Sequence, residues 1–166
     1  MTISTKARIF WPLMAVWLLT DCTTKELAVA GLVPYAPEPV VGDFLRFTLA
    51  FNRGAAMSIS VGEHSRFVFS GLAIAAVTVL AMLYLRTPAK ARLQALALAL
   101  VIGGALGNLF DRLRSNQGVV DFIDIGLGEH RFWIFNVADI GVTVGALLLA
   151  WTLSSAESRP DTVVAG

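Results

Sequence analysis

The stretch FVFSGLAIAAVTVLAMLYL-RTPAKAR-LQALALALVIGGALGNLF, residues 67–110, decides the fold. Neither residues 67–85 nor residues 93–110 contain a charged side chain. A bilayer-crossing helix needs about 20 mostly apolar residues, and each run is of that order. The link Arg86-Thr87-Pro88-Ala89-Lys90-Ala91-Arg92 is basic and holds a helix-breaking proline. Two membrane helices joined by a tight basic hairpin are predicted, at about 67–85 and 93–112.

Outward from that hairpin the pattern repeats less cleanly. Residues 9–20 are apolar, Asp21, Lys25 and Glu26 follow, and Leu27-Ala28-Val29-Ala30 resumes. Residues 132–138 are apolar, Asp139 interrupts, and residues 140–156 run on uncharged. These predict spans at about 9–30 and 133–154. The expected architecture is an all-α membrane protein: a four-helix transmembrane bundle with a small extramembrane β-sheet on its outer face. Residues 1–166 would form one domain, with outer loops at about 31–66 and 113–132 and a disordered tail at 155–166.

Composition agrees. The chain is 56% hydrophobic and 15% charged, with mean hydropathy +0.70. Soluble domains carry about 25% charged residues, so this chain has too few to cover a water-facing surface. A net charge of +1 gives no reason to expect a nucleic-acid partner. Cys22 stands alone, and His64 and His130 lack ligand spacing, so neither a disulfide nor a metal site is expected.

Four spans would put both termini on one side. Lys6, Arg8, Arg86, Lys90, Arg92 and Arg159 would share that side, against Lys25, Arg46, Arg53, Arg66, Arg112, Arg114 and Arg131. The raw count does not orient the chain. Density does, because the short hairpin concentrates its charges, and basic loops mark the cytoplasm. Leu19-Thr20-Asp21-Cys22 imitates a lipoprotein cleavage box after an apolar run, but Asp21 stands where a small residue is required.

The outer segments read as β. Leu45, Phe47, Leu49 and Phe51 alternate with Arg46, Thr48 and Ala50, the pattern of a half-buried strand. Val119-Val120-Asp121-Phe122-Ile123-Asp124-Ile125 is β-rich as well.

Polar residues gather at the outer ends of the spans, where each needs a reason: a charge at the bilayer centre costs about 2.5–3.5 kcal/mol. Asn108 and Asp111 end the third span, Asn136 and Asp139 begin the fourth, and Asp121 lies between. A spacing of three puts each Asn and its Asp on one helical face. Gly103 with Gly107, and Gly141 with Gly145, let helices approach closely. Two carboxylates about 4 Å apart repel by about 4 kcal/mol at an effective dielectric of 20. Sharing one proton relieves that and leaves a base beside an acid, the chemistry of an aspartic protease. Ser58, Ser60 and Ser70 lack a histidine partner or a nucleophile elbow. Simpler roles stand beside this one: Asp139 as a helix cap, and Asp111 in a surface ion pair with Arg112.

Five blocks in order resemble the lipoprotein signal peptidases (signal peptidase II). They are Asp21-Cys22-Thr23-Thr24-Lys25, the run from Asn52 to Ser58, the run from Gly103 to Arg112, the run from Val119 to Asp124, and Phe135-Asn136-Val137-Ala138-Asp139. The resemblance implies a catalytic dyad of Asp121 and Asp139. It implies that Asn52, Gly54, Asn108, Asp111, Arg112, Asn136 and Ala138 bind substrate or support the carboxylates. It makes Asp21 and Lys25 a structural polar pair. The implied enzyme is an intramembrane aspartic endopeptidase without cofactor. Its partners would be diacylated prolipoprotein substrates, cut on the N-terminal side of the lipidated cysteine, and membrane lipid. It would be a monomer in the bacterial inner membrane, N-in and C-in, with its site toward the periplasm or outer leaflet. Met57 stands where phenylalanine is usual, and Ile140 follows Asp139 where serine is common. The rival expectation is a non-catalytic four-span protein, either a transporter or lipid-binding subunit or an inactive paralogue. No internal symmetry or broken midplane helix favours a transporter.

Overall fold

The computed structural model describes residues 3–54 and 62–157. Met57, Ser58, Ser60 and the tail from residue 158 lie outside the described residues. Within them the chain runs α1 (Thr5–Gly31), β1 (Glu38–Val41), β2 (Leu45–Asn52), a 3-10 turn (Gly62–His64), α2 (Ser65–Arg86), α3 (Arg92–Arg114), β3 (Val119–Leu127), β4 (His130–Arg131) and α4 (Val137–Glu157).

By length and composition, three of these helices can cross a membrane: α2, α3, and α4 over Val137–Ser155. The helix α1 is long, but Lys6, Arg8, Asp21, Lys25 and Glu26 interrupt its apolar character. The helix α3 lies innermost and packs on α1, α2 and α4, burying an unbroken run from Ala97 to Gly104. The other helices turn large apolar side chains outward, among them Trp11, Leu19, Phe67, Leu72, Val79, Leu85, Leu147 and Trp151. An apolar exterior around a small-residue core is what a lipid solvent selects.

Glycine permits the closest approaches. A methyl group on Gly104 would strike the backbone carbonyl of Ala138 in α4, and one on Gly107 would strike the Asp21 carboxylate in α1. Gly107→Ala should therefore separate α1 from α3 and cost about 1–3 kcal/mol, the usual penalty of overpacking. A melting curve in detergent measures it, and an unchanged midpoint would refute the contact.

The sheet is antiparallel in the order β1-β2-β3-β4. Strict alternation along β2 is not what forms. A register shift between Phe47 and Ala50 lets adjacent Thr48 and Leu49 both be buried. Thr48 is accommodated there because its hydroxyl donates to Asp124 Oδ2 at 3.0 Å, while Arg131 Nε donates to Asp124 Oδ1 at 2.6 Å. Leu49, Val120, Phe122 and Ala28 form a second small core that fastens the sheet to the C-terminal end of α1.

The last helix begins at Val137, so Phe132-Trp133-Ile134-Phe135 precede it and are not helical. Phe135 bridges Ile123: its N–H donates to the Ile123 carbonyl at 3.0 Å, and its carbonyl accepts the Ile123 N–H at 2.8 Å. Asn136 then starts the helix. Its Oδ1 accepts the N–H of Asp139 at 3.0 Å, and Asp139 Oδ2 accepts the N–H of Asn136 at 3.1 Å. That reciprocal arrangement is a capping box built from Asn and Asp.

Candidate active site

The capping box points one end of each side chain at its partner and leaves the other end for the interior. Asn136 is fully buried, and its amide donates to Asp121 Oδ1 at 2.7 Å, to the Val120 carbonyl at 3.1 Å and to Asn108 Oδ1 at 3.1 Å. Asp139 Oδ1 accepts the Asn108 amide at 2.8 Å. Asp121, 4% exposed on β3, accepts a second amide from Asn52 at 3.2 Å on Oδ2. Asn136 thus touches both aspartates, and Asn52 and Asn108 brace one each.

Asp121 and Asp139 face one cavity of about 470 Å³. Asn52, Asn108 and Arg112 supply more of its polar wall, while Phe51, the apolar run at 132–135 and Val142 supply the apolar wall. Burial, and then the charge of Asp139, push the Asp121 carboxyl up to about 7, against the lowering effect of its two amide donors and of Lys25. At neutral pH a proton is therefore readily held at Asp121. Asp139 accepts hydrogen bonds on both oxygens.

Behind the cavity sits a buried ion cluster. Lys25, 1% exposed, places its ammonium 2.8 Å from Asp21 Oδ2, 2.9 Å from Asp111 Oδ2 and 2.9 Å from Asn108 Oδ1. Three donors meet three acceptors. Asp21 Oδ1 accepts the Ala138 N–H at 2.8 Å, one of the first-turn amides that a helix leaves unpaired. Asp111 Oδ2 also accepts the Val120 N–H at 3.2 Å. The cluster links α1, α3, β3 and α4 directly beneath the two aspartates.

All the expected site residues lie in one connected region, with partners the spacing does not show. Asn108 pairs across the helices with Asp139, whereas its helix neighbour Asp111 pairs with Lys25. Arg112 does not bond Asp111. It donates to the Asn108 carbonyl at 3.2 Å and the Gly54 carbonyl at 2.8 Å, and among the described residues its Nε has no partner. Gly54 donates its N–H to Asn52 Oδ1 at 3.0 Å. Among the described residues no group of His, Cys, Asp and Glu is arranged to hold a metal ion.

Tyr35 is a cavity residue that the sequence gives little reason to choose. Val33-Pro34-Tyr35-Ala36 is a turn closed by the Ala36 N–H on the Val33 carbonyl at 3.2 Å, and Tyr35 has φ +61°. Pro34 is the available signal, since proline favours the second position of such a turn. An aromatic residue in the left-handed region at the third position carries no pattern of its own.

Fold and site together define a helical membrane protein in which a small sheet and two helix ends bring paired carboxylates into one cleft. The signal peptidase (SPase) II family model matches residues 13–155. The chain belongs to that family. Among similar proteins, the lipoprotein signal peptidase of Teredinibacter turnerae is 44% identical over 137 residues, covering 81% of this chain and 80% of that one. That of Yersinia pseudotuberculosis is 39% identical over 160 residues, covering 94% and 93%. A bacterial membrane enzyme solved by the in meso method at 2.3 Å superposes with TM-score 0.81 at 28% identity, over 90% of each chain. A second, at 1.9 Å, gives 0.74 at 29% identity over 85% of this chain and 89% of that one.

Proposed function

We propose that this chain is a lipoprotein signal peptidase of aspartic type, cutting diacylated prolipoproteins on the N-terminal side of the lipidated cysteine. Family membership supports the substrate class. The observation that carries the aspartic mechanism is the shared cavity: Asp121 and Asp139 both line it, and Asn136 bonds both. Asp139 takes a proton from water as the water oxygen attacks the scissile carbonyl carbon. Asp121 gives its proton to the carbonyl oxygen. The tetrahedral intermediate then collapses: the C–N bond breaks as Asp139 passes the proton it took from water to the departing cysteine nitrogen, and Asp121 recovers a proton from a hydroxyl of the intermediate. The products are a signal-peptide carboxylate and a free amino terminus. Asn52, Asn108 and Asn136 hold the carboxylates, and Arg112 braces the cavity wall through Asn108 and Gly54.

In this reading α1 is a fourth span, its buried charges neutralised by the Lys25 cluster. The protein lies in the inner membrane as a monomer, N-in and C-in, with the sheet toward the outer leaflet. Lys6 supports that topology. Its ammonium donates to the Tyr84 carbonyl at 2.9 Å and the Thr87 carbonyl at 2.7 Å, holding the N-terminus against the basic α2–α3 hairpin. The direct test is the gel mobility of a diacylated prolipoprotein after incubation with the purified enzyme in detergent. An unshifted band would overturn the assignment.

Titration gives a second test. Above about pH 7 Asp121 loses the proton that the mechanism requires, so kcat/KM should fall on the alkaline side with an inflection near there. Stability follows the same group. A carboxyl raised in the folded state stabilises below its unfolded pKa of about 3.9, and that contribution is lost as pH rises to about 7. Asp121→Asn should flatten the fall in melting temperature across this window, and an identical slope in both proteins would refute the shift. Chelators make the third test. Cleavage should survive them unchanged, and activity lost to chelation and restored by zinc would overturn the aspartic mechanism.

A further inference from the structure

The strand β2 is paired along one edge by β3 from Leu45 to Asn52. Its other edge is only partly covered: β1 pairs with Leu45, Arg46 and Phe47, and Pro34 forms a single bridge to Leu49. There the Tyr35 N–H donates to the Leu49 carbonyl at 2.9 Å, and the chain turns away through the left-handed backbone of Tyr35. Among the described residues no strand pairs with this edge beyond Leu49.

Period-2 geometry shows what the open edge offers. The Leu49 carbonyl points away from β3, and two residues on, Phe51 repeats that orientation. The residue opposite Phe51 agrees. Val120 does not spend its backbone groups on β2: its N–H goes to Asp111 at 3.2 Å and its carbonyl to Asn136 at 3.1 Å. The N–H and C=O of Phe51 therefore project from the open edge. Phe51 lines the cavity of the two aspartates and also a neighbouring one of about 530 Å³. The next residue, Asn52, bonds Asp121.

We infer that the substrate's peptide segment binds as an added β-strand on this edge, its backbone exchanging hydrogen bonds with Phe51. The inference rests on the peptidase reading and adds how the chain is held. An extended peptide has both groups for which Phe51 shows no partner among the described residues, and main-chain pairing to a sheet edge is a common way to hold one. Pairing here fixes the peptide one residue from the amide that braces Asp121. It grips by backbone, so it serves substrates of differing side chains. Tyr35 ends the resident pairing and thereby leaves the edge open among the described residues.

The test uses wild-type enzyme and a synthetic peptide carrying a diacylglyceryl cysteine. Successive backbone amides, apart from the one that is cut, are replaced singly by esters, which deletes one N–H at a time. One position should raise KM about tenfold, the worth of a hydrogen bond of about 1.4 kcal/mol, with both neighbours within about twofold. On the enzyme side, Phe51→Pro removes the outward N–H at a place where an edge strand tolerates proline. It should raise KM several-fold beyond Phe51→Ala, which keeps that N–H. A flat ester scan with intact cleavage of the all-amide peptide overturns the added strand alone. Equal KM for the two Phe51 variants does the same. No cleavage of the all-amide peptide overturns the peptidase reading and this inference with it.

Discussion

Asp121→Asn and Asp139→Asn are each expected to lower turnover of a diacylated prolipoprotein by about 10⁴-fold while leaving the protein folded. An amide can neither take the proton of the attacking water nor supply one to the carbonyl oxygen, and general acid–base catalysis reaches about that magnitude. The folded state should survive for different reasons at the two positions. Asp121 accepts two amide donors, from Asn136 at 2.7 Å and Asn52 at 3.2 Å. Its asparagine variant keeps an oxygen for the shorter bond and opposes N–H to N–H at the longer one. Against that loss it no longer buries a carboxyl that burial has driven up to about 7. Asp139→Asn keeps one oxygen for either Asn108 or the helix cap, not both, and should lose about 1 kcal/mol as a weakened cap. Initial rates and detergent melting curves on the same preparations separate chemistry from folding. Near-normal turnover by either folded variant would remove that residue from the dyad.

The dyad also shows how far this chain can be read without coordinates. Uncharged runs at 67–85 and 93–110 announce helices because nothing in them suits water. The run at 132–138 looks equally apolar, yet its first residues lie outside the helix and Phe135 bridges the sheet, since periodicity cannot tell a short buried strand from the start of a helix. Asn136 and Asp139 are three apart, and that spacing does bring them together as a cap. The same spacing puts Asn108 and Asp111 on one face, where both meet the Lys25 ammonium, but it does not show that their partners lie on α4 and α1. Charges interrupting an apolar stretch mark Asp21 and Lys25 as expensive, and the two do pair with each other, but the further partners Asn108, Asp111 and Ala138 sit far along the chain. Thr48 shows a similar limit, because a bulge is needed to turn it inward beside Leu49. The left-handed Tyr35 and the outward backbone of Phe51 leave no trace in residue type at all.

Lys25→Met should be the most destabilising single change outside the dyad, at about 3–5 kcal/mol. Methionine fills a similar volume but withdraws the positive charge from two buried carboxylates, and breaking a buried ion pair from one side costs about that much. Asp21 and Asp111 would then face one another's charge across the space left by the ammonium. Asn108 would lose a donor on the oxygen that Asn136 also uses, so the brace on Asp139 would loosen. Activity should fall with stability, since the cluster lies directly behind the cavity. Asp111→Asn is the instructive companion. It keeps an oxygen for Lys25 or for the Val120 N–H and loses only charge, so a lower melting temperature with partial turnover is expected. The two variants belong in one detergent series with Asp121→Asn. A Lys25→Met protein that melts like the wild type would show that the cluster adds nothing to stability. If Asp111→Asn is fully folded but inactive while Asp121→Asn still turns over, then Asp111 is the partner of Asp139. The cleft would have to rearrange for that, because Asp111 is held by Lys25 and Val120, and among the described residues Asp121 is the aspartate that lines the cavity with Asp139.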